Sequence, residues 1–125
     1  MDKKWKNKNF GEAFINSIKG IGYTIKSELN IKIQLVFMCI VIIAGFVFRI
    51  TPMEWGLLVL TIFMVLFAEM TNTAIETTVD MITEEYNEKA KIAKDVASGA
   101  VLLTAIMSII IGLIIFLPKI IMFIK

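Results

Sequence analysis

Along residues 9–27, apolar side chains return every three or four positions, at Phe10, Phe14, Ile18, Ile21 and Ile25. That spacing predicts an amphipathic helix lying on a membrane surface, with Lys19 and Lys26 near the headgroups. Gly20 and Gly22 weaken or bend it, at ~1 kcal/mol each relative to alanine. Beyond residue 30 the pattern changes to long apolar runs. Residues 33–48 are interrupted only by Gln34, residues 55–68 are strongly apolar and pass into a polar-faced stretch to Ile82, and residues 96–117 form a third run. With its amphipathic ends, each reaches ~20 residues, enough to cross a bilayer core of ~30 Å. The expected architecture is an all-α integral membrane protein. It has a surface helix over about 9–27 and spans over about 31–49, 54–82 and 92–118, all in one unit covering residues 1–125.

Composition agrees with this pattern. At 125 residues and 58% hydrophobic, with a mean hydropathy of +0.80, the chain is too apolar for an ordinary soluble domain and too short for several compact units. No secretory signal is expected, because the polar stretch before Ile33 is long and no small-residue cleavage site follows the first run. The net charge of +2 is unevenly distributed: Lys3, Lys4, Lys6, Lys8, Lys19 and Lys26 precede the first span, and Lys89, Lys91 and Lys94 separate the second from the third. The positive-inside rule places the N-terminus and the 83–95 loop in the cytoplasm of a multi-pass plasma-membrane protein, with the 49–54 turn outside. Pro52 and Trp55 read as boundary signals, and Glu54 is expected to be exposed and uninvolved. The chain has one cysteine and no histidine, which excludes disulfide frameworks and His-based catalysis. Cys39 is expected to be an apolar packing residue. A small-residue stripe, Ala100, Thr104, Ser108 and Gly112, permits close helix approach in lipid. No nucleic-acid partner is expected.

The chemistry lies on the second span. At ~100° per residue, Glu69, Asn72, Glu76 and Asp80 fall within a sector of roughly 80°. If Trp55 marks one interface, Glu69 lies about 21 Å further along the axis and Glu76 about 31 Å, at ~1.5 Å per residue. Glu69 is then inside the apolar layer, Glu76 at its edge and Asp80 in water. Ionisable groups within a span are costly and mark functional sites.

Such a set suits phosphoryl transfer, which needs a metal held by one or two carboxylates, a cation near the phosphates and a group that takes the acceptor's proton. Glu28 and Glu76 are candidates for the metal, Lys94 for the phosphates and Glu69 for a lipid hydroxyl. No Walker loop or protein-kinase glycine loop is present. The same residues also fit a small proton- or cation-handling oligomer with Glu69 as relay, or an assembly subunit. Three spans offer little interior for this many polar groups, so self-association is expected.

The motif Glu69-x-x-Asn72-Thr-Ala-Ile-Glu76-x-x-x-Asp80, followed by Ala93-Lys94-Asp95 and Ser98-x-Ala100-Val101-Leu102, resembles the signature of the prokaryotic diacylglycerol kinase family over nearly the whole chain. The resemblance implies a homotrimer of three-span subunits with shared active sites at the cytoplasmic interface, using ATP, Mg²⁺ and a membrane lipid alcohol. It implies Glu69 as general base, Asn72 as an orienting group, and Glu28 and Glu76 as Mg²⁺ ligands bridging ATP. Glu85, Tyr86, Asn87, Lys94 and Asp95 match nucleotide-facing positions, Asp80 a motif position that is structural or nucleotide-facing, while Ser98 and Gln34 match the lipid site. Gln34 stands where some members have glutamate, and Asn9 where some have arginine. The segments Glu28-Leu-Asn30 and 112–119 look more like the branch acting on undecaprenol than the one acting on diacylglycerol.

Overall fold

The computed structural model describes residues 4–125. It contains four helices: α1 (Phe10–Ser27), α2 (Leu29–Val47), α3 (Pro52–Ile82) and α4 (Glu88–Ile124). By length and composition α2, α3 and α4 are each capable of crossing a membrane.

Local chemistry sets most of the helix ends. The Asn9 side chain accepts the Glu12 N–H at 2.8 Å to open α1. Thr51 and Glu54 form a reciprocal capping box at the start of α3, with Pro52 in the first turn. Asn87 accepts the Ala90 N–H at 3.1 Å to open α4. By contrast, α2 starts without a side-chain cap, directly after Glu28. That one residue, extended at φ −109° and ψ 118°, is the whole break between α1 and α2. The end of α2 closes on itself: Ile50 N–H donates to Gly45 O at 3.1 Å and Arg49 N–H to Phe46 O at 3.3 Å. Arg49 takes the left-handed conformation, φ 52°, that this closure requires.

The main packing is between α3 and α4, while α1 and α2 touch α3 less extensively. Buried Ile50, Leu58 and Ile115 form the centre, with Phe48, Trp55 and Phe116 against them. Phe48 meets Phe116 edge-on at 6.2 Å, and Phe46 meets Trp55 at 4.9 Å between ring centroids. Most large apolar side chains, including Phe37, Phe63 and Leu103, instead face outward. An exposed apolar surface of this extent is what a lipid-facing helix presents. Cys39 is on this outer surface, not in a packed interior as its apolar setting led us to expect, because α2 covers so little of itself against the other helices.

Glu54 also departs from expectation. Its carboxylate is largely covered and accepts Lys119 Nζ at 2.5 Å, so it ties the start of α3 to the end of α4. The partner is 65 residues away, which no local pattern could disclose. Lys119 Nζ donates to Ile115 O as well, at 3.2 Å, in the turn where Pro118 lacks its backbone donor. The helix continues through the proline to Ile124. Within α3, the hydroxyls of Thr61, Thr73 and Thr77 donate to the carbonyls of Leu57, Glu69 and Thr73. Each is thereby satisfied without leaving its own helix.

Gly45 is buried where α2 meets the 50–55 segment, and a Cβ there would lie 2.6 Å from the Trp55 ring. The ring is rigid and already packed on Phe46, so it cannot yield cheaply. Gly45→Ala is therefore expected to destabilise the protein by about 1–3 kcal/mol through overpacking, read as a lowered unfolding midpoint in detergent. Gly56→Ala, where an added Cβ meets nothing within 4 Å, serves as the control.

Candidate active site

The polar face of α3 forms a graded series. At its deep end Glu69 is 2% exposed, and its Oε2 accepts Gln34 Nε2 from α2 at 3.3 Å. One turn on, Asn72 Nδ2 donates to Glu76 Oε1 at 3.2 Å. Asn72 Oδ1 is buried and without a hydrogen-bond partner. At the open end Asp80 Oδ1 accepts Lys94 Nζ of α4 at 2.7 Å. These side chains remain 64% and 42% exposed, respectively, so their attraction is screened by water. At ~1.5 Å per residue the series extends roughly 16 Å from Glu69 to Asp80.

The short connection between α3 and α4 builds a hollow over this open end. Thr83 shapes its floor: its hydroxyl accepts Glu85 N–H at 3.2 Å and donates to Glu85 O at 3.0 Å. Asn87, at the far end of the connection, caps α4. The hollow, about 630 Å³, brings together Asp80, Glu85, Tyr86, Asn87, Lys94 and Asp95. Three further polar residues of this hollow, Thr83, Glu84 and Lys91, were not among the sequence-derived candidates. Lys91 Nζ holds Asp95 Oδ2 at 2.6 Å. The i,i+4 spacing of that pair was a usable signal; the Thr83 turn had none as clear.

Two of the sequence-derived candidates lie elsewhere. Glu28 is half-buried at the α1–α2 break. Ser98 is exposed on α4, beside buried Ala97. Ala97 itself faces a groove between α3 and α4 that Ala68, Asn72, Ala93 and Ala100 also line. The groove's small residues bring the two helices close at the level of Asn72.

Chemically, the arrangement offers a buried proton acceptor, an amide–carboxylate pair above it and an ionic hollow at the water end. The hollow's walls carry four carboxylates, Asp80, Glu84, Glu85 and Asp95, against two ammonium groups, Lys91 and Lys94. A polyphosphate would enter such a space only together with a cation. Glu76 and the unpartnered Asn72 oxygen are hard donors of the kind that suit Mg²⁺. Among the described residues no group of three or more acidic, cysteine or histidine side chains is placed to hold a metal ion.

Comparison with known proteins gives a consistent result. Residues 15–116 match the family described as prokaryotic diacylglycerol kinase. Undecaprenol kinase of Bacillus subtilis is 43% identical over 110 residues, covering 88% of this chain and 89% of that protein. Diacylglycerol kinase of Synechocystis is 38% identical over 79% of this chain, which spans 57% of that longer protein. Diacylglycerol kinase of Escherichia coli is 30% identical, over 78% of this chain and 86% of its own length.

An exposed ion pair contributes about 0–1 kcal/mol. Lys94→Met and Asp80→Asn are accordingly expected to leave the thermal unfolding midpoint within about 3 °C of the unsubstituted protein's. A larger drop in either variant would mean that the pair holds the α3–α4 end together.

Proposed function

The chain belongs to the prokaryotic diacylglycerol kinase family of lipid kinases, and from that premise we propose that it transfers the γ-phosphate of ATP to the hydroxyl of undecaprenol, with Mg²⁺, at the cytoplasmic face of the plasma membrane. The observation that carries this reading is the Glu69 carboxylate, buried and held by Gln34, on the same helix face as the hollow around Lys94. A membrane-embedded alcohol and a water-borne nucleotide can each approach one end of that face. The likeness to the Bacillus subtilis undecaprenol kinase supports the prenol as acceptor. The relatives named diacylglycerol kinase make diacylglycerol the second acceptor to test.

In the proposed reaction the prenol hydroxyl lies against Glu69. Its O–H bond breaks toward the carboxylate as its oxygen bonds to the γ-phosphorus. The bond from that phosphorus to the bridging oxygen breaks, ADP departs and the proton remains on Glu69 until released to water. Gln34 fixes the carboxylate that receives the proton, and Asn72 fixes Glu76 in the same way. Glu28 and Glu76 would hold Mg²⁺, which would supply charge neutralisation to the polyphosphate. Lys94 exchanges Asp80 for a phosphate oxygen, and Glu85, Tyr86, Asn87 and Asp95 wall the nucleotide.

The exposed stripe Phe10, Phe14, Ile18 and Ile21 of α1 rests on the cytoplasmic membrane surface, with the N-terminus inside and residues 1–125 acting as one unit. Ser98, exposed on α4, serves the lipid site, and the subunits of a homotrimer share their active sites.

The direct test is turnover of ATP by the detergent-purified protein in mixed micelles, with undecaprenol and diacylglycerol supplied separately and the phosphorylated lipid counted. Predominant phosphorylation of the prenol is expected; predominant phosphorylation of the diglyceride transfers the assignment to the second acceptor. Glu69→Gln should lower turnover by about 10²-fold or more, the scale of general-base catalysis, while nucleotide still binds. In Glu76→Gln, by contrast, the affinity for Mg·ATP itself is expected to fall, as measured by calorimetry.

A further inference from the structure

We propose that Gln34 and the cavity it lines select the acceptor, favouring a lipid with a single hydroxyl and no other polar atom near it over a diglyceride. This rests on the kinase reading above and adds to it how the site tells one lipid alcohol from another.

The cavity, about 300 Å³, lies between all three spans, and its walls include Gln34 of α2, Leu58 and Thr61 of α3, and Ser108, Gly112 and Phe116 of α4. Its polar atoms are few and mostly acceptors. Thr61 spends its hydroxyl proton on Leu57 O at 2.7 Å, and Ser108 on Ala105 O at 2.8 Å. Gln34 spends an amide N–H on Glu69, while its Oε1 is buried with no hydrogen-bond partner. These groups therefore meet a ligand chiefly as acceptors. A buried acceptor left unmet is unfavourable, and a ligand donor relieves it.

A polyprenol answers that demand with one O–H donor and a hydrocarbon chain. A diglyceride brings the same single donor together with two ester groups a few bonds away, all acceptors, which would lose their water and find opposite them acceptors and, at most, the second Gln34 amide N–H. Gln34 joins the cavity to the catalytic centre: its Nε2 is 3.3 Å from Glu69 Oε2. A hydroxyl that donates to Gln34 Oε1 on arrival is thus beside Glu69 and has only to turn its O–H to that carboxylate for transfer, and the first part of its chain extends into the cavity.

The test is the ratio of kcat/KM for undecaprenol to that for a 1,2-diacylglycerol, in identical micelles, for the unsubstituted protein, Gln34→Leu and Gly112→Leu. Gln34→Leu removes both amide functions and leaves an apolar side chain one methylene shorter. Its loss of the Glu69 contact lowers turnover of both lipids, but the ratio is expected to fall about tenfold further, or about 1.4 kcal/mol. Gly112→Leu narrows the cavity without touching Glu69, at a position where an added Cβ meets nothing within 4 Å. It too is expected to lower the ratio. An unchanged ratio in both variants, with measurable turnover, overturns the inference and leaves Gln34 as a support for Glu69 alone. Because the ratio is internal to each preparation, partial unfolding of one variant does not mimic the effect. An unsubstituted protein that phosphorylates neither lipid overturns the kinase reading itself, and one that prefers the diglyceride overturns the selectivity while leaving the kinase reading intact.

Discussion

In the hydrocarbon layer there is no water to complete a hydrogen bond, so every polar atom that α3 carries into it has to be met by the protein. The helix meets this demand in three ways along its length. Its threonines donate back to their own helix, Asn72 and Glu76 meet each other one turn apart, and Glu69, the deepest carboxylate, is met from α2 by Gln34. The last solution depends on tertiary structure. It requires α2 to present one side chain at one height, and it is the polar link that binds the otherwise loosely packed α2 to the rest of the chain at the depth of the site. The oxygens left without partners, on Gln34 and Asn72, adjoin the two carboxylates of greatest chemical interest.

What could be read in advance was what helical periodicity encodes. Glu69, Asn72, Glu76 and Asp80 share a face because of their spacing, and their burial does decline from the first to the last. The resemblance carried by the same residues pointed to a family that comparison then established. The capping residues Pro52 and Asn87 and the pair Lys91–Asp95 also obey local rules. What local rules cannot contain is the relative rotation of two helices. The contacts Gln34–Glu69, Asp80–Lys94 and Glu54–Lys119 are 35, 14 and 65 residues apart, and each depends on how neighbouring helices turn toward one another. Glu54 was misread for this reason, since exposure inferred from a turn takes no account of a lysine arriving from the far end of the chain. Cys39 shows the complementary difficulty: an apolar residue in a membrane span can face lipid or protein at similar cost.

The two ends of the α3–α4 pair show how a small protein divides its polar groups. At one end Glu54 and Lys119 are largely shielded and directly bonded, with the lysine also serving a backbone carbonyl beside a proline. At the other end Asp80 with Lys94 and Lys91 with Asp95 are open to solvent. A shielded pair resists rearrangement because separating it leaves charge without compensation. Exposed pairs exchange partners at little cost. The rigid contact and the exchangeable ones therefore stand at opposite faces of the same two helices, and the nucleotide chemistry proposed here falls on the exchangeable side.

The break between α1 and α2 has a mechanical consequence. Because Glu28 alone separates two regular helices, a small set of torsion angles sets both the heading of α1 and the position of the Glu28 carboxyl group. The carboxylate sits at the elbow of a lever whose long arm is the eighteen-residue α1. Any tilt of that arm, whatever its origin in the bilayer, is geared directly to the position of that acidic group.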